Sequence, residues 1–276
     1  MTATVGLDVR EISPRIGSEI HAGKDVLLSG DHAETMRELL EQRGVLVFPK
    51  IAFTDDEQVA FTETLGTLAT ERKGEKLYNV TLDKNVNKQA DYLKGSLYWH
   101  LDGTMNEVPI LASLLSSKAL GNPGEGDTEF CNTYAAYDDL PDDDKAELEQ
   151  LRVIHSTWTT LLYYDPEPAL KTLQQMAAIG ERELPLVWRH RSGRKSLVLG
   201  CTAGHVVGLD RSKSIELLVR LREWATQPQF TYRHTWSVGD LVIWDNTGTM
   251  HRATPYDPAS GRLLQRTKLA GEEPFA

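Results

Sequence analysis

The stretch FTYRHTWSVGDLVIWDN, residues 230–246, sets the fold class. Its aromatic and β-branched residues fall in two short runs on either side of a Ser-Val-Gly-Asp turn, and such runs read as strands. Toward the N-terminus the same signals recur in PILASLLSSKAL (109–120), in TEF after the glycine-rich turn GNPGEGD (121–127), and in SLVLG (196–200). Toward the C-terminus they return in LLQRTKLAG (263–271). Many short strands punctuated by Gly, Pro and Asp predict a chain that is mainly β with flanking helices, folded as a double-stranded β-helix, or jelly roll.

Helices are expected where the hydrophobic period changes. DHAETMRELLEQRG (31–44) has Asp31 as a cap, Met36, Leu39 and Leu40 at helical spacing, and Gly44 as a stop. TDDEQVAFTETLG (54–66) pairs the cap Thr54 with Glu57 and turns Val59, Phe61 and Leu65 inward. Between them VLVFP (45–49) reads as a buried strand. DDLPDDDKAELEQL (138–151) and SKSIELLVRLREWAT (212–226) read as two further helices flanking the sheets. Two stretches lack a sustained period, near residues 72–98 and 156–175, and are expected to be irregular lids on a single domain spanning 1–276. Trp158, Tyr163 and Tyr164 in the second suit a satellite core or a substrate wall equally well.

Forty acidic against 30 basic residues give a formal net charge of -10, which argues against a nucleic-acid partner, because phosphate binding needs a basic face. Cys131 and Cys201 are too few for a disulfide framework or a thiolate metal site and read as buried structural residues. No basic-then-apolar leader opens the sequence, and no apolar run reaches the roughly 18 residues that would suggest a membrane span. A cytoplasmic protein with no membrane partner is expected, as a homodimer or homotetramer.

The chemistry starts at LYWHLDGTM (97–105). On a strand His100 and Asp102 point to one side and can converge on a point, although alone H-x-D also fits a His–Asp hydrogen bond at a strand end. GDLVIWDNTGTMHRATPYDPASGRLLQR (239–266) adds His251. Two imidazoles and one carboxylate are the donors of a non-haem Fe(II) centre with open positions opposite them, and zinc accepts similar donors. Arg262 and Arg266 lie eleven and fifteen positions past His251, where a returning strand would give them a common face. A guanidinium beside an iron site suits 2-oxoglutarate: one end of the dicarboxylate chelates the metal and the other needs a cationic partner. Thr128 offers a hydroxyl to the same carboxylate. Each arginine alone also fits a surface charge.

The ordered set H-x-D, G-D-T-x-F, W-D-N-x4-H-R-A and the two arginines resembles the Fe(II)/2-oxoglutarate dioxygenases of the taurine and 2,4-dichlorophenoxyacetate dioxygenase (TauD/TfdA) family. The resemblance runs over nearly the whole chain, and GDTEFC, NTYAAYDDLP and YRHTWSVGDLVIWDN follow the herbicide-degrading branch. It implies that His100, Asp102 and His251 bind Fe(II), and that Thr128 and Arg262 hold the distal carboxylate of 2-oxoglutarate. Trp244 would wall that pocket. Arg266 matches the position that meets an anionic substrate group in well-known members, and Ser96, at the end of the first lid, joins it as a substrate-facing candidate. The retained Asp102 implies oxygenation with O2, since related halogenases carry a small residue there. The implied reaction hydroxylates or oxidatively cleaves an unactivated C–H position of a small anionic substrate, giving succinate and CO2. A zinc-dependent hydrolase at the same His/Asp/His site is the alternative.

Overall fold

The computed structural model describes residues 6–71 and 74–276. Its largest sheet runs Asp8–Glu11, Ser18–His21, Val45–Phe48, Leu241–Asp245, Ala112–Ala119, Leu263–Leu269 and Leu68–Ala69, with Tyr78–Val80 also pairing onto Leu263–Leu269. A second sheet holds Thr231–His234, Thr128–Asn132 and Thr249–Ala253 in that order. Successive strands cross between the two: Thr231–His234 belongs to the small sheet, Leu241–Asp245 to the large, Thr249–Ala253 to the small and Leu263–Leu269 to the large. This is the expected jelly roll.

Each residue of LVIW has a destination. Val242 and Trp244 pack with Val45, Leu115, Leu264 and Phe130 between the sheets. Leu241 and Ile243 point the other way, into a core with Leu46, Phe48 and Leu114 under Met36, Leu40, Phe61 and Leu65. Those last four come from the helices Ala33–Arg43 and Asp55–Leu65. A strand covered on both faces has no place for a polar residue, hence the unbroken apolar run. Behind the small sheet, Cys131 and Met250 pack with Leu221 and Ala225 of the helix Arg211–Ala225.

The capping box forms as expected, with Thr54 Oγ1 accepting from Glu57 N and Glu57 accepting from Thr54 N. Buried Gln58, not Val59, carries the first inward position, and its Oε1 accepts from Ser116 Oγ at 2.6 Å. The helix predicted from Asp31 begins at Ala33, with His32 as a cap that makes no side-chain bond.

Three expectations need correction. His100 and Asp102 do not share a strand: His100 makes one bridge to His251, through N–H···O bonds of 3.1 and 2.9 Å, and Asp102 is already in a turn. The lid near 72–98 opens on Arg72 and Lys73, outside the described residues, but from Gly74 onward it holds the strand Tyr78–Val80, the helix Ala90–Leu93 and a 3-10 turn over Lys94–Leu97. The stretch 156–175 is largely helical, over Thr157–Tyr164 and Leu170–Ala177. Ser156 caps the first of these helices by accepting from Thr159 N.

Candidate active site

His251 lies in the strand Thr249–Ala253, and the bridge to its backbone fixes His100 beside it, with ring centroids 4.1 Å apart. Asp102 arrives from the turn that follows. Gly103 makes that turn at φ +88°, where a Cβ would stand 2.7 Å from Ile110 N, so glycine is required. His100 Nε2 lies 3.7 Å from Asp102 Oδ1, and His251 Nε2 lies 3.9 Å from Asp102 Oδ2. One ligand atom from each residue lies within 4.8 Å of the others. Two imidazole nitrogens and a carboxylate at this separation suit a divalent metal with open positions.

The surroundings hold the donors in ligating form. His100 Nδ1 donates to Tyr98 O at 2.8 Å, which turns Nε2 toward Asp102. Burial drives the His251 pKa well below its ordinary value, reinforced by the neighbouring His100 and opposed by Asp102, so the imidazole is neutral. Burial alone would raise the Asp102 pKa. The neighbouring His251, Arg266 and His100 and a bond from Ser113 Oγ at 3.0 Å outweigh it and hold the carboxyl well below its usual range. Ser113 Oγ in turn accepts from Asn246 Nδ2 at 2.9 Å. Ser113 and Asn246 escaped the sequence reading; the N of the W-D-N motif was the available signal.

A cavity of about 1410 Å³ opens over these atoms, and all eight candidates, His100, Asp102, His251, Thr128, Arg262, Trp244, Arg266 and Ser96, line it. At one end Arg262 is buried, donates from Nε and Nη2 to Gly126 O at 3.1 and 2.7 Å, and lies over the Tyr256 ring. A Cβ on Gly126 would stand 2.5 Å from Arg262 Nε, so the glycine of G-D-T makes room for the guanidinium. Thr128 Oγ1 accepts from Trp236 Nε1 at 3.0 Å, a partner not foreseen from the sequence. The Trp244 ring lies 4.6 Å from that of His251, and its Nε1 is buried without a partner among the described residues. Among the described residues Arg262 forms no ion pair. An unmatched buried cation and an orphaned N–H on the walls of one cavity fit an anionic metal chelator.

At the other end Arg266 Nη2 bonds Glu71 Oε1 at 3.0 Å, and Nη1 lies 3.6 Å from Asp102 Oδ2. Ser96 gives its hydroxyl proton to Leu93 O at 2.7 Å. Of the lid lysines, Lys76, Lys84 and Lys94 pair with Glu63 and Asp91 at the surface, Lys88 lines the cavity, and Lys73 lies outside the described residues. Of the three aromatics in the second lid, only Tyr164 lines the cavity.

Residues 8–268 match the family model described as taurine catabolism dioxygenase TauD, TfdA family. The chain is 36% identical over 251 residues to the alpha-ketoglutarate-dependent 2,4-dichlorophenoxyacetate dioxygenase of Burkholderia sp. (strain RASC), covering 84% of this chain and 83% of that protein. It is 31% identical to an alkylsulfatase of Acinetobacter baylyi, over 98% of this chain and 86% of the other. Among solved structures, AAD-2 in complex with Mn(II) and N-oxalylglycine superposes with a TM-score of 0.83 at 32% identity, over 98% of this chain and 99% of that one. Sequence, fold and length therefore agree that the chain belongs to the TauD, TfdA family of 2-oxoglutarate-dependent dioxygenases.

Proposed function

We propose that this oxygenase hydroxylates, or oxidatively cleaves, an unactivated C–H position of a small, mostly apolar substrate bearing one anionic group, with 2-oxoglutarate converted to succinate and CO2. The observation that carries the substrate class is Arg266: a guanidinium on the cavity wall, 3.6 Å from a metal-ligand carboxylate. Relatives named for phenoxyacetate, phenoxypropionate and sulfate ester substrates support the same class.

In this assignment His100, Asp102 and His251 hold Fe(II), which together with 2-oxoglutarate supplies O2 activation and C–H oxidation. Tyr98 O and Ser113 Oγ fix the orientation of His100 and Asp102. Arg262 and Thr128 take the far carboxylate of 2-oxoglutarate, with Trp244 along its side. Arg266 takes the substrate's anion, and Ser96 and the segment before it border the substrate. Asp102 fills the position that a halide would need, which favours oxygenation.

A zinc hydrolase would have no use for the Arg262, Thr128 and Trp244 pocket. A Ser196–His190–Glu273 chain does exist, at 2.8 Å for each step, but Ser196 is fully buried, so no substrate reaches it.

The test is metal binding combined with turnover. One Fe(II) per chain and a visible charge-transfer band on anaerobic addition of 2-oxoglutarate are expected, and both should vanish in His100→Ala and Asp102→Ala. Full turnover in either variant would refute the metal assignment.

A further inference from the structure

Arg266 does not wait alone for its anion. Glu71 reaches in from the loop before the first lid and spends each carboxylate oxygen on a different cation: Oε1 on Arg266 Nη2 at 3.0 Å, and Oε2 on Lys268 Nζ at 2.9 Å. All three side chains are largely withdrawn from water, at 13% exposure for Glu71, 19% for Arg266 and 11% for Lys268. Arg266 and Lys268 are two residues apart on the strand Leu263–Leu269 and so share its cavity face, which both of them line. The arrangement is a two-cation seat with a carboxylate already in it.

The place between the two cations holds one carboxylate. A guanidinium grips a planar anion with paired bonds either along its Nε/Nη2 edge or across its Nη1/Nη2 end. Nη2 offers one N–H to each, and Glu71 takes one of the two. Among the described residues Arg266 Nε is buried with no partner, so the lateral edge is at most half used. A second anion that bridged Arg266 and Lys268 as Glu71 does would have to move Glu71 away. Adding one without displacement would also set two like charges side by side in a poorly hydrated pocket.

We propose that Glu71 is an internal stand-in for the substrate's anionic group, that Arg266 and Lys268 together form the seat, and that the incoming carboxylate, sulfonate or sulfate displaces Glu71 from both. Glu71 thereby prevents two buried cations from being left bare between turnovers, and it raises the threshold for casual anions, succinate and excess 2-oxoglutarate among them. Lys268 becomes a specificity-determining residue beside Arg266. The proposal rests on the anionic-substrate assignment, and its test separates the two.

Protein loaded with Mn(II) and N-oxalylglycine, which cannot turn over, is titrated calorimetrically with phenoxyacetate and with its uncharged counterpart phenoxyacetamide. Displacement requires Glu71→Gln to bind phenoxyacetate at least about tenfold tighter than wild type and Lys268→Gln about tenfold weaker, as expected for charges removed from a desolvated pair. The amide should change little in either variant. In parallel, sodium acetate should raise the Tm of Glu71→Gln above that in sodium chloride of equal ionic strength, with no such difference in wild type. Unchanged or weaker phenoxyacetate binding by Glu71→Gln would mean that Glu71 only props up Arg266, and the proposal falls while the anionic substrate stands. If the amide binds and phenoxyacetate does not, the anionic substrate itself is wrong and the proposal goes with it. Should Glu71→Gln fail to fold, Lys268→Gln decides: wild-type affinity for phenoxyacetate in that variant removes the two-cation seat.

Discussion

Arg262 and Arg266 stand four residues apart on one returning segment, line one cavity, and keep opposite company. Arg262 is 4% exposed and leans on a single carbonyl and a tyrosine ring. Burial pulls its pKa down, with Tyr256 and Asp127 only partly offsetting this. For Arg266 burial pulls the same way, but the carboxylates of Asp102 and Glu71 outweigh it and push the pKa up. A buried cation with no ion pair among the described residues is costly, so the Arg262 end suits an anion from outside, as the proposed assignment requires. The Arg266 end is already neutralised and built to exchange. That contrast matches a co-substrate common to every turnover at one end and a selected substrate at the other.

The contrast breaks most directly at Arg262. Removing one partner of a buried charge pair costs roughly 2–5 kcal/mol, so Arg262→Ala should raise the 2-oxoglutarate requirement by at least about tenfold, at ~1.4 kcal/mol per decade. Succinate formed against 2-oxoglutarate concentration measures it. An unchanged requirement together with a lost substrate response would mean that the two arginines have exchanged roles.

A smaller effect is expected at the other end, because Glu71 already offsets part of the charge. Arg266→Gln should weaken substrate by about tenfold while sparing the slow, uncoupled consumption of 2-oxoglutarate seen without substrate. Succinate measured with and without substrate separates the two. A variant indistinguishable from wild type on the true substrate would end the role of Arg266 in anion recognition.

The two ends were not equally legible in the sequence. Thr128, Arg262 and Trp244 stand inside short motifs whose spacing survives in the fold, and LVIW announced its burial by composition alone. His100 and Asp102 were found for a partly wrong reason. Their alternation suggested a strand, whereas His100 makes one bridge to a residue 151 positions away and Gly103 turns the chain at once. Convergence came from the bridge and the turn, and neither has a local signature. Glu71 lay just before the stretch 72–98 and in no motif, and only the fold brings it to Arg266, 195 residues on. The helices of 157–177 were missed although Ser156 is an ordinary N-cap residue, because the aromatics and prolines that follow obscured the helical period.

The smallest expected effect examines how finely the Arg262 end is prepared. Trp236 Nε1 donates to Thr128 Oγ1 at 3.0 Å, and both residues are buried, at 6% and 4% exposure. A hydroxyl that accepts from the indole keeps its own proton to give, and the carboxylate of 2-oxoglutarate is an acceptor. Trp236→Phe retains an aromatic ring among Val242, Trp244 and Phe130 and removes the N–H. One neutral hydrogen bond is worth about 0.5–1.5 kcal/mol, so the 2-oxoglutarate requirement should rise roughly two- to tenfold, with substrate dependence at saturating 2-oxoglutarate unchanged. A Tm lowered by the substitution with no change in the 2-oxoglutarate requirement would show that the bond only stiffens the sheet. A change in substrate dependence would show that Trp236 acts across the cavity, and the two ends would no longer be separable.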